Sequence, residues 1–330
     1  MKYCTVCVLS EKFPGISFNS DGVCNYCTGG FVADDNKKRE YLLEFEKLIE
    51  EKRGQSRYDV IMAYSGGKDS TYTMILLTRK YGLKVLAWTL DNGFLSPQAL
   101  VNISRMTDAA GATGMIVRPP FGIMKSAFRR AAAEDFYSPK TLDRASSICT
   151  TCIGMVKSMV LKTAIEMEIP LVAYGWSPGQ APISSAIMQT SPRMQVFTNR
   201  SVRDPLISRE PGMAQFFLTD RDLKSTPERW PVNIHPLAFF DYDEEYIIKE
   251  IRKLGWEKPS DTDSNSTNCL LNALANHLHK KKFGFHPYAW EIAGIVRSGS
   301  MPREDGMEKI TQDEDPAMVK FAAEKIGLTI

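Results

Sequence analysis

A six-residue loop in the first third of the chain has the composition of a phosphate-binding site. It lies between an apolar run that ends at Tyr64 and a helical pattern that begins at Thr71. Two glycines let backbone amides approach an anion closely, and the N-terminus of the following helix adds unpaired N–H groups. The loop consists of Ser65, Gly66, Gly67, Lys68, Asp69 and Ser70. We predict that Lys68 supplies charge to phosphate, while Asp69 and Ser70 cap the helix or help to place Mg²⁺.

The spacing of the loop fits neither the Walker motif nor the dinucleotide fingerprint. It resembles the PP-loop of the ATP pyrophosphatase superfamily, whose members cut ATP between the α and β phosphates. The resemblance implies that ATP and Mg²⁺ bind here and that Lys68 and Asp69 act in catalysis. It also implies that Asp91, in the segment 91–93, and Gly175 lie beside the nucleotide. The alternative for residues 91–93 is a plain turn.

Four N-terminal cysteines have the spacing of a metal site. Cys4 and Cys7 form one Cys-x-x-Cys pair, and Cys24 and Cys27 form another. This spacing is typical of a structural Zn²⁺ site, in which four thiolates fill a tetrahedron with Zn–S distances of about 2.3 Å. Two disulfides or four free thiols are the alternatives.

Both ends of the chain resemble the N-acetyl sugar amidotransferases, which are PP-loop enzymes that install an acetamidino group on surface sugars. The resemblance rests on the segment from Cys4 to Cys27, on Lys282-Phe-Gly-Phe285, and on Ile295-Val-Arg-Ser-Gly299 followed by Arg303-Glu304. It implies an enzyme that receives ammonia from a separate glutaminase subunit.

The remaining three cysteines are Cys149, Cys152 and Cys269. A Cys-x-x-Cys pair ahead of a helix, with one distant cysteine at the start of another helical run, is similar to the site of the iron-sulfur thiouridine synthetases. That resemblance implies a four-iron four-sulfur (4Fe-4S) cluster held by three thiolates, with one iron left open. Persulfide or disulfide chemistry, and inert or zinc-binding thiols, are the alternatives.

Short β-rich runs alternate with helical stretches through the segment that contains the loop. The strands are predicted at 58–64, 84–90, 115–118 and 170–174, and the helices at 70–80, 97–110, 121–135 and 151–168. This alternation predicts an α/β fold whose parallel sheet carries helices on both faces, similar to the adenine nucleotide alpha hydrolases. Residues 176–231 show no sustained period and are predicted to be a lid or mobile segment without regular structure.

The chain of 330 residues is long enough for one large domain and smaller additions. Its net charge of +2 gives no argument for a strong field that attracts polyanions, although local basic spots remain. We predict a zinc knuckle at 1–33, a helical connector at 34–57, the PP-loop domain at 58–240 and a helical C-terminal region at 241–330. The paired cysteines, together with the lack of an apolar leader or a long apolar run, favour the cytoplasm and no membrane partner. A homodimer is also possible.

Three functions fit these features. The first is an ATP-dependent sulfur transferase that adenylates an acceptor carbonyl, on a small molecule or a tRNA, and takes sulfur from a sulfide or persulfide donor. The second is a sugar amidotransferase that uses the same adenylation with ammonia. The third is a non-enzymatic nucleic-acid-binding zinc protein with basic spots at Arg129-Arg130 and Lys280 to Lys282, which could equally be solvated helix faces.

Overall fold

The computed structural model describes residues 1–29, 35–224 and 230–330. The predicted boundary between the knuckle and the connector, at residues 33 and 34, lies outside the described residues. In the described part of the chain the strands form one six-stranded sheet with the order β3-β2-β1-β4-β6-β5. They are β1 (Val60–Ala63), β2 (Val85–Leu90), β3 (Thr113–Val117), β4 (Leu171–Tyr174), β5 (Ile187–Gln189) and β6 (Val232–Ile234).

All neighbouring strands are parallel except β5, which pairs antiparallel with β6. The side chains of β1 alternate between two apolar layers. Ile61 packs into the cluster that contains Trp88 and Phe128, whereas Val60 and Met62 pack on the opposite side. Burial on both faces requires helices on both sides of the sheet, so the predicted α/β fold is confirmed.

The helices supply those two layers and the C-terminal part. They are α1 (Asn25–Thr28), α2 (Asp35–Lys52), α3 (Lys68–Ile75), α4 (Pro97–Ala110), α5 (Phe121–Ala133), α6 (Ser147–Glu166), α7 (Pro192–Thr198), α8 (Asp204–Arg209), α9 (Asp220–Lys224), α10 (Glu244–Arg252), α11 (Asn272–Phe283), α12 (Ala289–Arg297), α13 (Arg303–Thr311) and α14 (Pro316–Ile326). Helix α4 shows why the boundaries fall where they do: Ser96 caps it, Pro97 starts it, and Gly111 ends it at φ 66°. The predicted helical C-terminal part is confirmed by α10 to α14.

The N-terminal knuckle packs against α12 and α13 rather than standing alone. Cys4, Cys7 and Phe13 share an apolar cluster with residues such as Ile292 and Ile310. Arg303 strengthens the contact, because its guanidinium donates to the carbonyls of Cys4, at 2.8 Å, and of Cys7, at 3.1 Å. The two ends of the chain therefore form a single packed unit.

Three local predictions are wrong. Residues 176–231 were expected to lack regular structure, but their described part contains α7, α8, α9 and the edge strand β5. Cys149 and Cys152 lie inside α6 rather than ahead of it, because Ser146 caps that helix by accepting from the Cys149 N–H at 3.1 Å. Cys269 precedes α11, which begins at Asn272, and its backbone forms an isolated antiparallel β-bridge with Leu95.

Helix α6 is long and apolar. Within the described residues it is the one helix whose length and composition would allow it to cross a bilayer. Met155, Val160 and Ala164 of this helix are buried in the cluster behind the sheet. Its apolar character is thus used in the protein core.

Candidate active site

The phosphate loop follows β1 and turns sharply into α3. Gly66 adopts φ 75°, in the left-handed region that favours glycine, and a Cβ there would lie 2.9 Å from the carbonyl oxygen of Ala99. Gly67 occupies the N-cap of α3. The indole of Trp256 donates to the Gly66 carbonyl at 2.9 Å and holds the turn in place. Glycine is therefore required by the backbone geometry at Gly66, whereas Gly67 has an ordinary φ of −74°.

A segment from the C-terminal half covers this loop, and sequence reasoning missed it. The hydroxyl of Thr267 accepts from the Lys68 N–H at 3.2 Å. A Cβ on Gly67 would lie 2.9 Å from the same hydroxyl and 3.7 Å from Asn268. Because Thr267 lies 199 residues from Lys68 in sequence, no local pattern could have revealed the contact.

Lys68 lies in an ion network rather than extending freely from the loop. Its Nζ donates to Asp69 at 2.7 Å and to the hydroxyl of Tyr242 at 2.9 Å, and it lies 3.7 Å from Glu244. Burial alone would lower the pKa of Lys68, but Asp69, Tyr242 and Glu244 raise it well above its usual value. The lysine is thus a fixed positive charge at the start of α3.

The segment after β2 divides its two polar residues between different partners. Asp91 accepts from Arg118 at 2.7 Å and from the Gly93 N–H at 2.9 Å. Asn92 donates from its amide to Cys152 Sγ at 3.4 Å and lines a cavity that also contains residues of the loop. Asn92, rather than Asp91, is therefore the residue of this segment that faces the cavity.

Gly175 follows β4 and packs directly on the phosphate loop. A Cβ at this position would lie 2.4 Å from Ser70 Cα and 2.7 Å from Ser70 N. Ser70 in turn shares a hydrogen bond of 3.1 Å with Ser65. Gly175 therefore allows the end of β4 to contact the helix that carries the loop.

One cavity of about 600 Å³ connects the loop to the three remaining cysteines. Ser65 and Ser70 line it, together with Cys149, Cys152 and Cys269. Ser65, Asn92 and Gly175 enter it from the carboxyl ends of β1, β2 and β4, which are adjacent in the sheet. This is the position at which ligands collect on open α/β sheets.

Burial opposes ionisation of the three cysteines of the cavity. Burial raises the pKa of Cys149, raises that of Cys152 to about 11 and raises that of Cys269 to about 12. Among the described residues, the N-terminal quartet is the one group of three or more ligand atoms within 4.8 Å of one another. The sulfur atoms of a four-thiolate tetrahedron lie about 3.8 Å apart, so the quartet is the group with the spacing of a single tetrahedral ion.

The sulfur atoms of the N-terminal quartet have the spacing that a tetrahedral metal ion requires. Its sulfur atoms are 3.8 Å apart between Cys4 and Cys27, 3.8 Å between Cys7 and Cys24, and 3.5 Å between Cys24 and Cys27. Burial alone would raise the pKa of Cys4, but the N–H groups of Cys7, Cys24 and Val6 lower it to about 7. These N–H groups stabilise the thiolate form of Cys4, which is the form that binds a metal.

Two further ionisable groups line the cavity without having been predicted. Glu291 accepts from the Ser177 hydroxyl at 2.7 Å, and burial raises the pKa of its carboxyl to about 7. Lys157 lies on the wall formed by α6, and burial lowers the pKa of its amine to about 8. Perturbed groups of this kind are common where a cavity performs chemistry.

No family model matches this chain. A curated relative from Methanocaldococcus jannaschii, described as the uncharacterized protein MJ1599, is 22% identical over 328 residues and 99% of each chain is covered. A solved U34-tRNA thiolase, NcsA from Methanococcus maripaludis with its 4Fe-4S cluster, is 14% identical with a TM-score of 0.39, over 100% of this chain and 90% of that one. An NMN synthetase from Francisella tularensis is 10% identical with a TM-score of 0.39, over 89% of this chain and 97% of that one. At these values neither likeness extends to function.

Proposed function

We propose that this chain is an ATP pyrophosphatase of the PP-loop type that adenylates an acceptor carbonyl and replaces its oxygen with sulfur. A single cavity that reaches both Ser65 and Ser70 of the loop and all three cysteines of the trio carries the proposal. ATP on the loop and an acceptor beside the cysteines would share one cavity. Adenylation of the acceptor by ATP and the later attack of sulfide both require the acceptor to lie close to the loop and to the cysteines.

In the proposed reaction the acceptor's carbonyl oxygen attacks the α-phosphorus of ATP, and pyrophosphate leaves as the α–β bond breaks. Sulfide then attacks the carbon, and AMP leaves with the original oxygen. The loop amides and Lys68 would stabilise the charge that develops on the phosphates. Mg²⁺ would bind with the phosphates beside Asp69, which we keep as its candidate ligand.

The trio fits a polynuclear cluster better than a single ion. Its three thiols line one cavity, and three thiolates are one fewer than a closed four-thiolate Zn²⁺ site requires. Cys149, Cys152 and Cys269 would hold a 4Fe-4S cluster, whose open iron supplies a binding position for sulfide. Asn92 would orient this site through its contact with Cys152 Sγ.

The quartet would hold a structural Zn²⁺, because its sulfur–sulfur distances match those of a four-thiolate tetrahedron. All seven cysteines are free of disulfides, which favours a reducing compartment and hence the cytoplasm. The remaining partners proposed are a small-molecule or tRNA acceptor, a sulfide or persulfide donor and a possible second copy of the chain.

A second candidate is the amidotransferase with ammonia from a glutaminase partner. The two end segments that resemble that family meet in space, where Arg303 binds the carbonyls of Cys4 and Cys7. The reaction would differ only in the nucleophile that displaces AMP. The cysteine trio would then have no chemical role.

Anaerobic purification followed by metal analysis separates these functions. Wild-type protein is expected to be brown, with iron and zinc, and to release pyrophosphate with sulfide and a cellular extract that supplies the acceptor. Cys269→Ser should lose iron and turnover but keep zinc and ATP binding, because the quartet and the loop are untouched. A colourless wild-type protein whose pyrophosphate release depends on ammonia, and is unaffected by Cys269→Ser, would replace sulfur transfer by the second candidate.

A further inference from the structure

Lys157 is the basic residue that lies deepest on the wall shared with the cysteines. Cys149, Cys152 and Lys157 all come from α6 and all line the cavity. At a rise of about 1.5 Å per residue, Lys157 lies about 7.5 Å along the helix axis from Cys152. A ligand whose reacting atom lies beside Cys152 could therefore reach the amine with another of its groups.

The amine has an aromatic partner but no carboxylate partner. Its Nζ lies 4.3 Å from the ring centroid of Trp176. The ring of His235 stacks on Trp176 at 4.6 Å and an interplanar angle of 7°. Burial, assisted by the charge of Lys157, lowers the pKa of His235 to about 3, so this imidazole is neutral. Within the described residues, no Asp or Glu oxygen lies within 4.0 Å of the Lys157 amine. Lys68 differs, because its amine pairs with both Asp69 and Glu244.

Lys157 is half-buried, and an ammonium that loses hydration without a carboxylate partner is unfavourable. A cation–π contact offsets only part of that desolvation. Burial therefore lowers the pKa of Lys157 to about 8, which still leaves the amine charged at neutral pH. Among the described residues that line the cavity, the other Lys or Arg is Arg144, which is exposed and lies over Trp290. Lys157 is thus a charge that the chain itself leaves uncompensated inside a cavity built for a ligand.

The position of the amine connects it to both halves of the cavity. Trp176 directly follows Gly175, which packs on Ser70 of the phosphate loop. On its other side the amine shares a helix with Cys149 and Cys152. An anion near Lys157 would therefore lie in the same cavity as the phosphate loop and the trio.

We propose that Lys157 and Trp176 form an anion-binding site in which the amine takes a phosphate or carboxylate group of the bound ligand. This inference rests on the proposed function, because that function makes the cavity a ligand site. The anionic group would belong either to the nucleotide, as its α-phosphate, or to the acceptor. Trp176 holds the amine over its ring face, so the charge is fixed before the ligand arrives.

The test measures binding rather than turnover. The nucleotide probe is α,β-methylene-ATP, which cannot be cleaved between the α and β phosphates, and its Kd is measured by calorimetry. Inorganic phosphate is then titrated into protein saturated with that analogue. The variants are Lys157→Met and Lys157→Gln, which remove the charge, with Lys162→Met as the control. Lys162 is on the same helix and pairs with Glu166 outside the cavity lining.

A loss of about tenfold or more in analogue affinity in both Lys157 variants, but not in Lys162→Met, assigns the anion to the nucleotide. Unchanged analogue affinity, with phosphate binding to the saturated wild type that both variants lose, assigns it to the acceptor. The inference is overturned if analogue affinity stays within twofold and phosphate binding is either absent from the saturated wild type or equal in the variants. Pyrophosphate release is assayed separately, so a failure of the proposed function remains distinguishable from a failure of this site.

Discussion

Replacing Gly175 by alanine should disconnect the phosphate loop from the end of β4. The added Cβ would lie 2.4 Å from Ser70 Cα. Non-bonded carbon atoms prefer about 3.5–4.0 Å, so the two backbones must separate by about 1 Å. An overpacked contact of this kind destabilises the fold by about 1–3 kcal/mol. A displacement of about 1 Å at a binding site can reduce catalysis about 100-fold.

The two effects are measured separately. Thermal unfolding gives the loss of stability, which we expect to lower the Tm by several degrees, and calorimetry with ATP gives the loss of affinity. Gly122→Ala in α5 is the matched control, because a Cβ there has no heavy atom within 4 Å. Alanine also favours a helix over glycine by about 1 kcal/mol, so the control should be neutral or slightly more stable.

The expected result is a folded Gly175→Ala protein with at least tenfold weaker ATP binding and strongly reduced pyrophosphate release. The reasoning fails if this variant keeps wild-type ATP affinity and pyrophosphate release. That outcome would mean that the loop tolerates the displacement, or that ATP does not use the loop.

Three other perturbations test separate parts of the site. Lys68→Ala should abolish pyrophosphate release and also lower the Tm by a few degrees, because Asp69 and Glu244 lose the charge between them; unchanged release would remove the loop assignment. Cys24→Ser should give poorly soluble protein without zinc, as metal analysis would show, since the quartet depends on its metal to fold; a soluble, zinc-replete variant would contradict that role. The affinity for the anion at Lys157 should fall about tenfold per unit above pH 8, because the amine, whose neighbours Trp176 and neutral His235 carry no charge, loses its proton there. An unchanged affinity at pH 9.5 would argue against it.

The parts of the fold that follow local patterns were predictable. The strands expected at 58–64 and 84–90 are present as β1 and β2, and the loop between β1 and α3 has the strand-loop-helix context that its glycines required. The edge strand β5 and its neighbour β6 were missed because each has only three residues, which is too short for an alternating pattern to be visible.

The residues of the cavity that were missed depend on long-range packing. Thr267 covers the loop from the other half of the chain, and nothing in its own neighbourhood indicates that role. Lys157 did carry a signal, because a single basic residue interrupts the apolar run from Met155 to Leu161. A charge on the buried face of a helix needs a partner, and none exists nearby in sequence.

The packing of the N-terminal knuckle on α12 links metal content to the shape of the cavity. Phe13 of the knuckle stacks on Trp290 with ring centroids 5.6 Å apart, and Trp290 lines the cavity with Glu291. If zinc keeps Phe13 in place, any ligand that needs Trp290 in this position must bind more tightly to the zinc-loaded protein. By thermodynamic reciprocity that ligand must also tighten the hold on zinc by the same factor. Zinc on the quartet would thus set how much of the protein is competent to bind a ligand in the cavity, without touching that ligand.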